Sequence, residues 1–254
     1  MLQCVDLHNK STARDANDKG INEGAVTSDK ASVANAIKTK HVNQQILDLV
    51  SAGKSASISD SLKKEAIALH MQSRGQNNDD RSGDVDARAK DVRDIQSEQA
   101  VINSDRQLLQ YARVPQSLKA LLNGDIASKG QLQKNEKQDI GPEASYAAAD
   151  DRDNKLNKLV IDALSSKTPV SGQYLEQLLT ADNASKDNIA ALRTRDIKLE
   201  AVYSSADLQD QALNAQLNDA LKRDPYLSAA RPESAGVQKA SEIGAKARLK
   251  LLNT

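Results

Sequence analysis

The stretch DIKLEAVYSSADLQDQALNAQLNDAL, residues 196–221, runs without a glycine or proline. In and around it Leu192, Leu199, Ala206, Leu213 and Ala220 recur every seven residues. A companion row, Ile189, Asp196, Tyr203, Asp210 and Leu217, is apolar at alternate turns and charged between. Apolar residues returning at the helical period set one face of a helix against a partner. The charged members break the heptad of an ideal zipper, so the pattern fits a bundle helix or a loose coiled-coil seam. A long helix is predicted over 186–223, closed at Asp224-Pro225 because the residue before proline is pushed out of helical space.

The same rhythm extends outward. Tyr146, Ala149, Asp153, Leu156, Val160 and Ala163 step by three and four, with Asp153 the one polar interruption. A second long helix is predicted over 84–113, where Val85 and Val92 are seven apart, as are Ile95, Ile102 and Leu109. Val114-Pro115 ends it. Upstream, an amphipathic stretch from Ser28 stops near Gly53. A further one starts at Ser59 or Asp60 and ends at Gly75, followed by the polar loop GQNNDDRSGD.

Asn123-Gly124 is a stop signal, and residues 125–141 are weak in period and read as a linker. Pro142 suits a first helical position. Residues 1–27 are polar, with Gly20 and Gly24, and read as an extended arm. A final helix carries Val237, Ala240, Gly244, Ala247 and Leu251.

No strand alternation competes. The expected fold is therefore all-α, an elongated multi-helix bundle of long amphipathic, partly coiled-coil-like helices. It comprises an arm at 1–27, helical regions at 28–124 and 142–254, and a linker at 125–141. No fixed-period repeat stands out.

Composition narrows the function. The chain of 254 residues has 54 Leu, Ile and Val, no Phe or Trp, and 36 Ala. Alanine forms helices readily but buries little area, so such helices are expected to complete their burial against other chains. Formal net charge is zero, which argues against a general polyanion binder. Nothing approaches the length of an apolar membrane span, and MLQCVDLHNK lacks the apolar segment of a secretory signal.

Candidate chemistry is sparse. Residues 78–89, NDDRSGDVDARA, place Asn78, Asp80, Ser82, Gly83 and Asp86 on calcium-loop positions, but Ala89 stands where a bidentate Glu belongs. The favoured reading is a solvated turn with Asp84 capping the next helix. His41 and His70 would meet if their helices paired, yet no carboxylate or Cys has ligand spacing with them. Cys4, with His8 four residues on, sits in the polar arm, a poor place for a preorganised nucleophile. Asp79-Asp80 and Asp150-Asp151 read as solvated pairs. Lys239, Lys246, Arg248 and Lys250 make the tail basic, which suits the C-terminal end of a helix dipole better than a membrane surface.

No catalytic, cofactor or metal site is expected, and nucleic acid is not indicated. The residues expected to matter form a packing stripe: Leu192, Leu199, Tyr203, Leu213 and Leu217, with Val85, Val92, Ile95, Ile102 and Leu109. The expected function is a non-enzymatic structural subunit of a helical homo-oligomer, foremost a virion component of internal, ejection or tail-tube type. Its partners would be copies of itself and other proteins of that assembly. The alternative is a helical adaptor binding a different protein in a groove between long helices.

Overall fold

The computed structural model describes residues 2–111, 114–168 and 170–223. Four long helices pack as a bundle: α1 (Leu2–Ser51), α2 (Asp60–Leu109), α3 (Gln116–Ser165) and α4 (Gly172–Arg223). The described residues contain no strand. The all-α expectation holds.

The connections are short and locally encoded. Gly53 takes the left-handed conformation at φ 69° after α1, which costs glycine nothing. The Ser59 hydroxyl accepts from the Leu62 N–H at 3.1 Å, and Ser171 does the same for Tyr174 at 3.1 Å. These are N-caps that satisfy orphan donors of α2 and α4.

Several expected breaks are absent. Residues 2–27 are helix, not an extended arm, and α2 continues through Gly75 and the stretch taken for a polar loop. The linker at 125–141 and the stop at Asn123-Gly124 lie inside α3, which also carries Pro142 internally. An interior glycine costs about 1 kcal/mol and a proline about 3, and the surrounding packing overrides both. The helix expected over 84–113 is the latter half of α2, and that expected over 186–223 is most of α4. The helix and basic tail expected around 237–251 lie outside the described residues.

What faces inward explains the continuity. In α4 the inward series is Leu175, Leu179, Asp182, Lys186, Ile189, Arg193, Asp196, Glu200, Tyr203, Asp207, Asp210, Asn214, Leu217 and Leu221, all buried or half-buried. Its steps alternate four and three without a break, so the heptad is intact once charged residues are admitted to it. The row Ile189–Leu217, seen from sequence as flawed, belongs to this series. The Leu192, Leu199 and Leu213 row flanks it, half-buried.

A repeat follows that the apolar pattern hid. In α3 the series is Leu118, Leu122, Asp125, Lys129, Leu132, Glu136, Asp139, Glu143, Tyr146, Asp150, Asp153, Asn157, Val160 and Leu164. Each lies 57 positions before its α4 counterpart, and most are the same residue or close in kind. Along α1 and α2 the offset is 62, matching His8 with His70, Ser11 with Ser73, Asp18 with Asp80, and Asp29 with Asp91.

The chain divides into two compact units. Unit 1 holds described residues in 2–15, 98–130 and 209–223; unit 2 holds 16–97 and 131–208. The apolar core of unit 2 gathers Ile46, Val50, Ile58, Ala66, Val160, Leu175 and Leu179. That of unit 1 gathers Leu108, Leu118, Leu122, Leu217 and Leu221, with Cys4. Between the apolar turns each interior is polar.

Candidate functional site

Unit 2 contains a fully buried network built from all four helices. His70 donates from Nδ1 to the Ala66 carbonyl at 2.7 Å, which leaves Nε2 3.0 Å from Asp182 Oδ2. Asn43 donates to the same oxygen at 2.8 Å. Lys186 donates to Asp153 at 2.6 Å and to Asn157 at 2.7 Å, and lies 3.6 Å from Asp182. Asn77 and Ser185 also donate to Asp153, at 2.8 and 2.7 Å. Burial works to raise Asp182, but His70 and Lys186 hold it below the usual carboxylate range. Buried charges persist only when paired and hydrogen-bonded in this way.

Unit 1 carries the counterpart at the matching repeat positions. His8 donates from Nδ1 to the Cys4 carbonyl at 2.9 Å, and its Nε2 lies 3.3 Å from Asp105 and 3.5 Å from Asp125. Lys129 pairs with Asp210, and Asn214 donates to Asp210 at 2.8 Å. Burial opposes charge on the His8 ring, yet Asp105 and Asp125 outweigh it and push His8 up to about 12. Lys129 is lowered by burial, against Asp125 and Asp15.

Further along unit 2, Arg193 is 2 % exposed and meets Asp150 at 2.5 Å, Asp84 at 3.3 Å, Asp29 at 3.6 Å and Asp80 at 3.8 Å. Its guanidinium lies over the Tyr146 ring, 5.4 Å from the centroid, a cation–π geometry. Beside it is a cavity of about 330 Å³ lined by twelve Asp and Glu residues and two cations, Arg193 and Lys90. Lys90 is already held by Asp18 and Asp94 at 2.8 and 2.9 Å.

Asp91, Asp139 and Glu143 each offer one carboxylate oxygen within 4.8 Å of the others. Asp139 and Glu143 are 8 % and 5 % exposed. Asp139 Oδ1, Glu143 Oε2 and Asp91 Oδ2 have no hydrogen-bond partner. Burial, then the neighbouring carboxylates, push Glu143 and Glu200 up to about 9 and Asp139 up to about 7. Ionised carboxylates only accept hydrogen bonds, so this lining calls for protons or cations.

The predicted residues scatter around these sites. Leu217 and Ile102 are buried; Leu192, Leu199, Tyr203, Leu213, Ile95 and Leu109 are half-buried. Val85 and Val92 are 60 % and 46 % exposed. Tyr203 lines the cavity. The sequence 78–89 lies wholly within α2, so no ion-wrapping loop forms there, and Asp84 pairs with Arg193 instead of capping a helix. Asp80 and Asp150, read as solvated, are buried. His41 is exposed and bonded to Gln45 at 3.0 Å, away from the buried His70. Cys4 and His8 sit on a buried helix face, not on a polar arm.

These sites escaped sequence reading because their members are spread over four helices. A signal existed: Asp, Asn, His and Lys recurring at steps of three and four, twice over.

Among the described residues no helix is long and apolar enough to cross a membrane. Compared with protein families, curated proteins and solved structures, the chain matches none.

Proposed function

We propose that the chain is a non-enzymatic helical bundle that takes up hard divalent cations in the carboxylate cavity of unit 2. The observation that carries this is the pair Asp139 and Glu143, nearly fully buried and with unpartnered oxygens in a cavity where acids outnumber cations twelve to two. Calcium and manganese take clusters of oxygen ligands of this kind. A bound cation takes the place of the protons that Glu143 and Asp139 hold near neutral pH, and because the unfolded chain offers no such cluster, binding stabilises the folded chain.

Chelator-treated protein should melt at rising temperature as Mn²⁺ or Ca²⁺ is added, by about 2.7 kcal/mol at a hundredfold excess over Kd. Asp139→Asn with Glu143→Gln should melt well without metal and gain nothing from it. A parent chain indifferent to both ions would end this reading, as would a double variant that gains as much as the parent.

A second reading, the helical subunit of a homo-oligomeric assembly such as a virion interior or tube, draws on a separate feature. Val85 and Val92 are exposed one heptad apart on α2, in the manner of a seam awaiting a partner helix. Mass photometry should then show a defined oligomer that Val85→Lys with Val92→Lys dissociates. A monomer with an unchanged profile in both proteins would remove this reading, and a monomer that captures a different helical protein at the seam would replace it with the adaptor.

A further inference from the structure

We propose that Cys4, His8, Asp105 and Asp125 form a zinc site in unit 1, separate in place and in donor type from the carboxylate cavity. All four side chains are within 3 % of full burial. Cys4, His8 and Asp105 each present one ligand atom within 4.8 Å of the others.

The spacings suit one tetrahedral ion. Bonds of about 2.0 Å to nitrogen and oxygen and about 2.3 Å to sulfur place N and O about 3.3 Å apart, and S and O about 3.5 Å apart. His8 Nε2 lies 3.3 Å from Asp105 Oδ1 and 3.5 Å from Asp125 Oδ2, and Cys4 Sγ lies 3.9 Å from Asp105 Oδ1. Cys4, His8 and Asp105 already present mutually close atoms, and Asp125, which meets the His8 ring, supplies the fourth ligand once its carboxylate turns towards the ion.

The histidine is also set up as a ligand. Its Nδ1–H is spent on the Cys4 carbonyl at 2.9 Å, the outer-shell bond that orients metal-binding imidazoles and leaves Nε2 as the donor atom.

The internal repeat supplies an independent argument. The unit 2 counterparts of Cys4, His8, Asp105 and Asp125 are Ala66, His70, Asn43 and Asp182. There the histidine and aspartate are satisfied without a metal, because Asn43 Nδ2 donates to Asp182 at 2.8 Å. In unit 1 that donor is replaced by a second carboxylate and the alanine by a thiol. Asp105 Oδ2 is left fully buried without a hydrogen-bond partner, and the Asp125 oxygens lie 3.5 Å from His8 and 3.8 Å from Lys129. The two substitutions that spoil a hydrogen-bonded arrangement are the two that complete a zinc donor set. Zinc entering it displaces two protons to solvent, one from the Cys4 thiol and one from Nε2 of the His8 ring, and gives both carboxylates a partner.

The test uses the full chain, reduced and stripped with chelator, titrated with Co²⁺ and then Zn²⁺. Tetrahedral cobalt bound to one thiolate shows a near-ultraviolet charge-transfer band and intensified visible bands, which Zn²⁺ should abolish by displacement. Cys4→Ala with Asp105→Asn installs the residues that unit 2 already carries. It should fold with the parent's helicity, lose the charge-transfer band and lose zinc affinity by more than about a hundredfold. Asp139→Asn with Glu143→Gln, in the other unit, should leave the band in place.

The proposal is overturned if the native chain gives no thiolate band, or if the Cys4/Asp105 variant binds zinc as tightly as the parent. Should that variant fail to fold, Cys4→Ser in its place should still bind cobalt, more weakly and without the band. A Cys4→Ser chain with an unchanged spectrum would likewise overturn it.

Discussion

Arg193→Met is expected to cost about 3–5 kcal/mol at neutral pH, the penalty for stranding buried charge, out of a typical total of about 5–15. Methionine keeps the aliphatic stem but leaves Asp29, Asp80, Asp84 and Asp150 without the guanidinium they surround. The loss should depend on pH in a definite direction. Even beside Arg193, burial pushes Asp84 up to about 6, Asp150 to about 7 and Asp29 to about 8. A folded-state pKa above the unfolded one means that the folded chain holds more protons between the two values. The stabilising contribution of these groups is therefore full below about pH 4 and disappears as pH rises through 6 to 8.

Removing Arg193 withdraws the attraction that held these pKa values down, so they rise further and the penalty grows on the alkaline side. Melting followed by circular dichroism should show a large deficit at pH 8 that narrows towards pH 5. An equal deficit at both pH values would mean that Arg193 acts through packing alone.

Lys186→Met is the second large effect, again about 3–5 kcal/mol. The ammonium is fully buried and serves Asp153, Asn157 and Asp182. Without it Asp153 keeps amide and hydroxyl donors from Asn77, Asn157 and Ser185 but has no counter-charge. Adding Asp153→Asn to Lys186→Met should recover a large part of the loss, because the stranded charge goes with it. Urea unfolding of the parent, the single variant and the double variant reads this directly. If the double variant is as unstable as the single one, the ion pair is not what the lysine contributes.

Both predictions concern residues that sequence reading passed over. An apolar rule scores a charge as an error, so it makes Asp153 an interruption of an apolar face and Asp196 and Asp210 flaws in a heptad, and it gives Arg193 no role. The duplicated series, offset by 57 along α3 and α4 and by 62 along α1 and α2, is present in the letters. It becomes visible only when position in the seam, and not hydrophobicity, is what is compared.

What the amino-acid sequence determined by itself was local: helix and no strand, the turn at Gly53, the cap at Ser59, and the closure of α2 near Val114-Pro115. These follow from backbone sterics and short-range hydrogen bonds, which need no knowledge of the rest of the chain. The tertiary structure alone decided that helices run on through Gly75, Gly124 and Pro142, and which stripe of each helix turns inward. It also decided that His70 meets Asp182 and that His8 meets Asp105, about a hundred residues away along the chain. A buried charge is tolerable only if its partner arrives from another helix, and that condition is a property of the packed bundle.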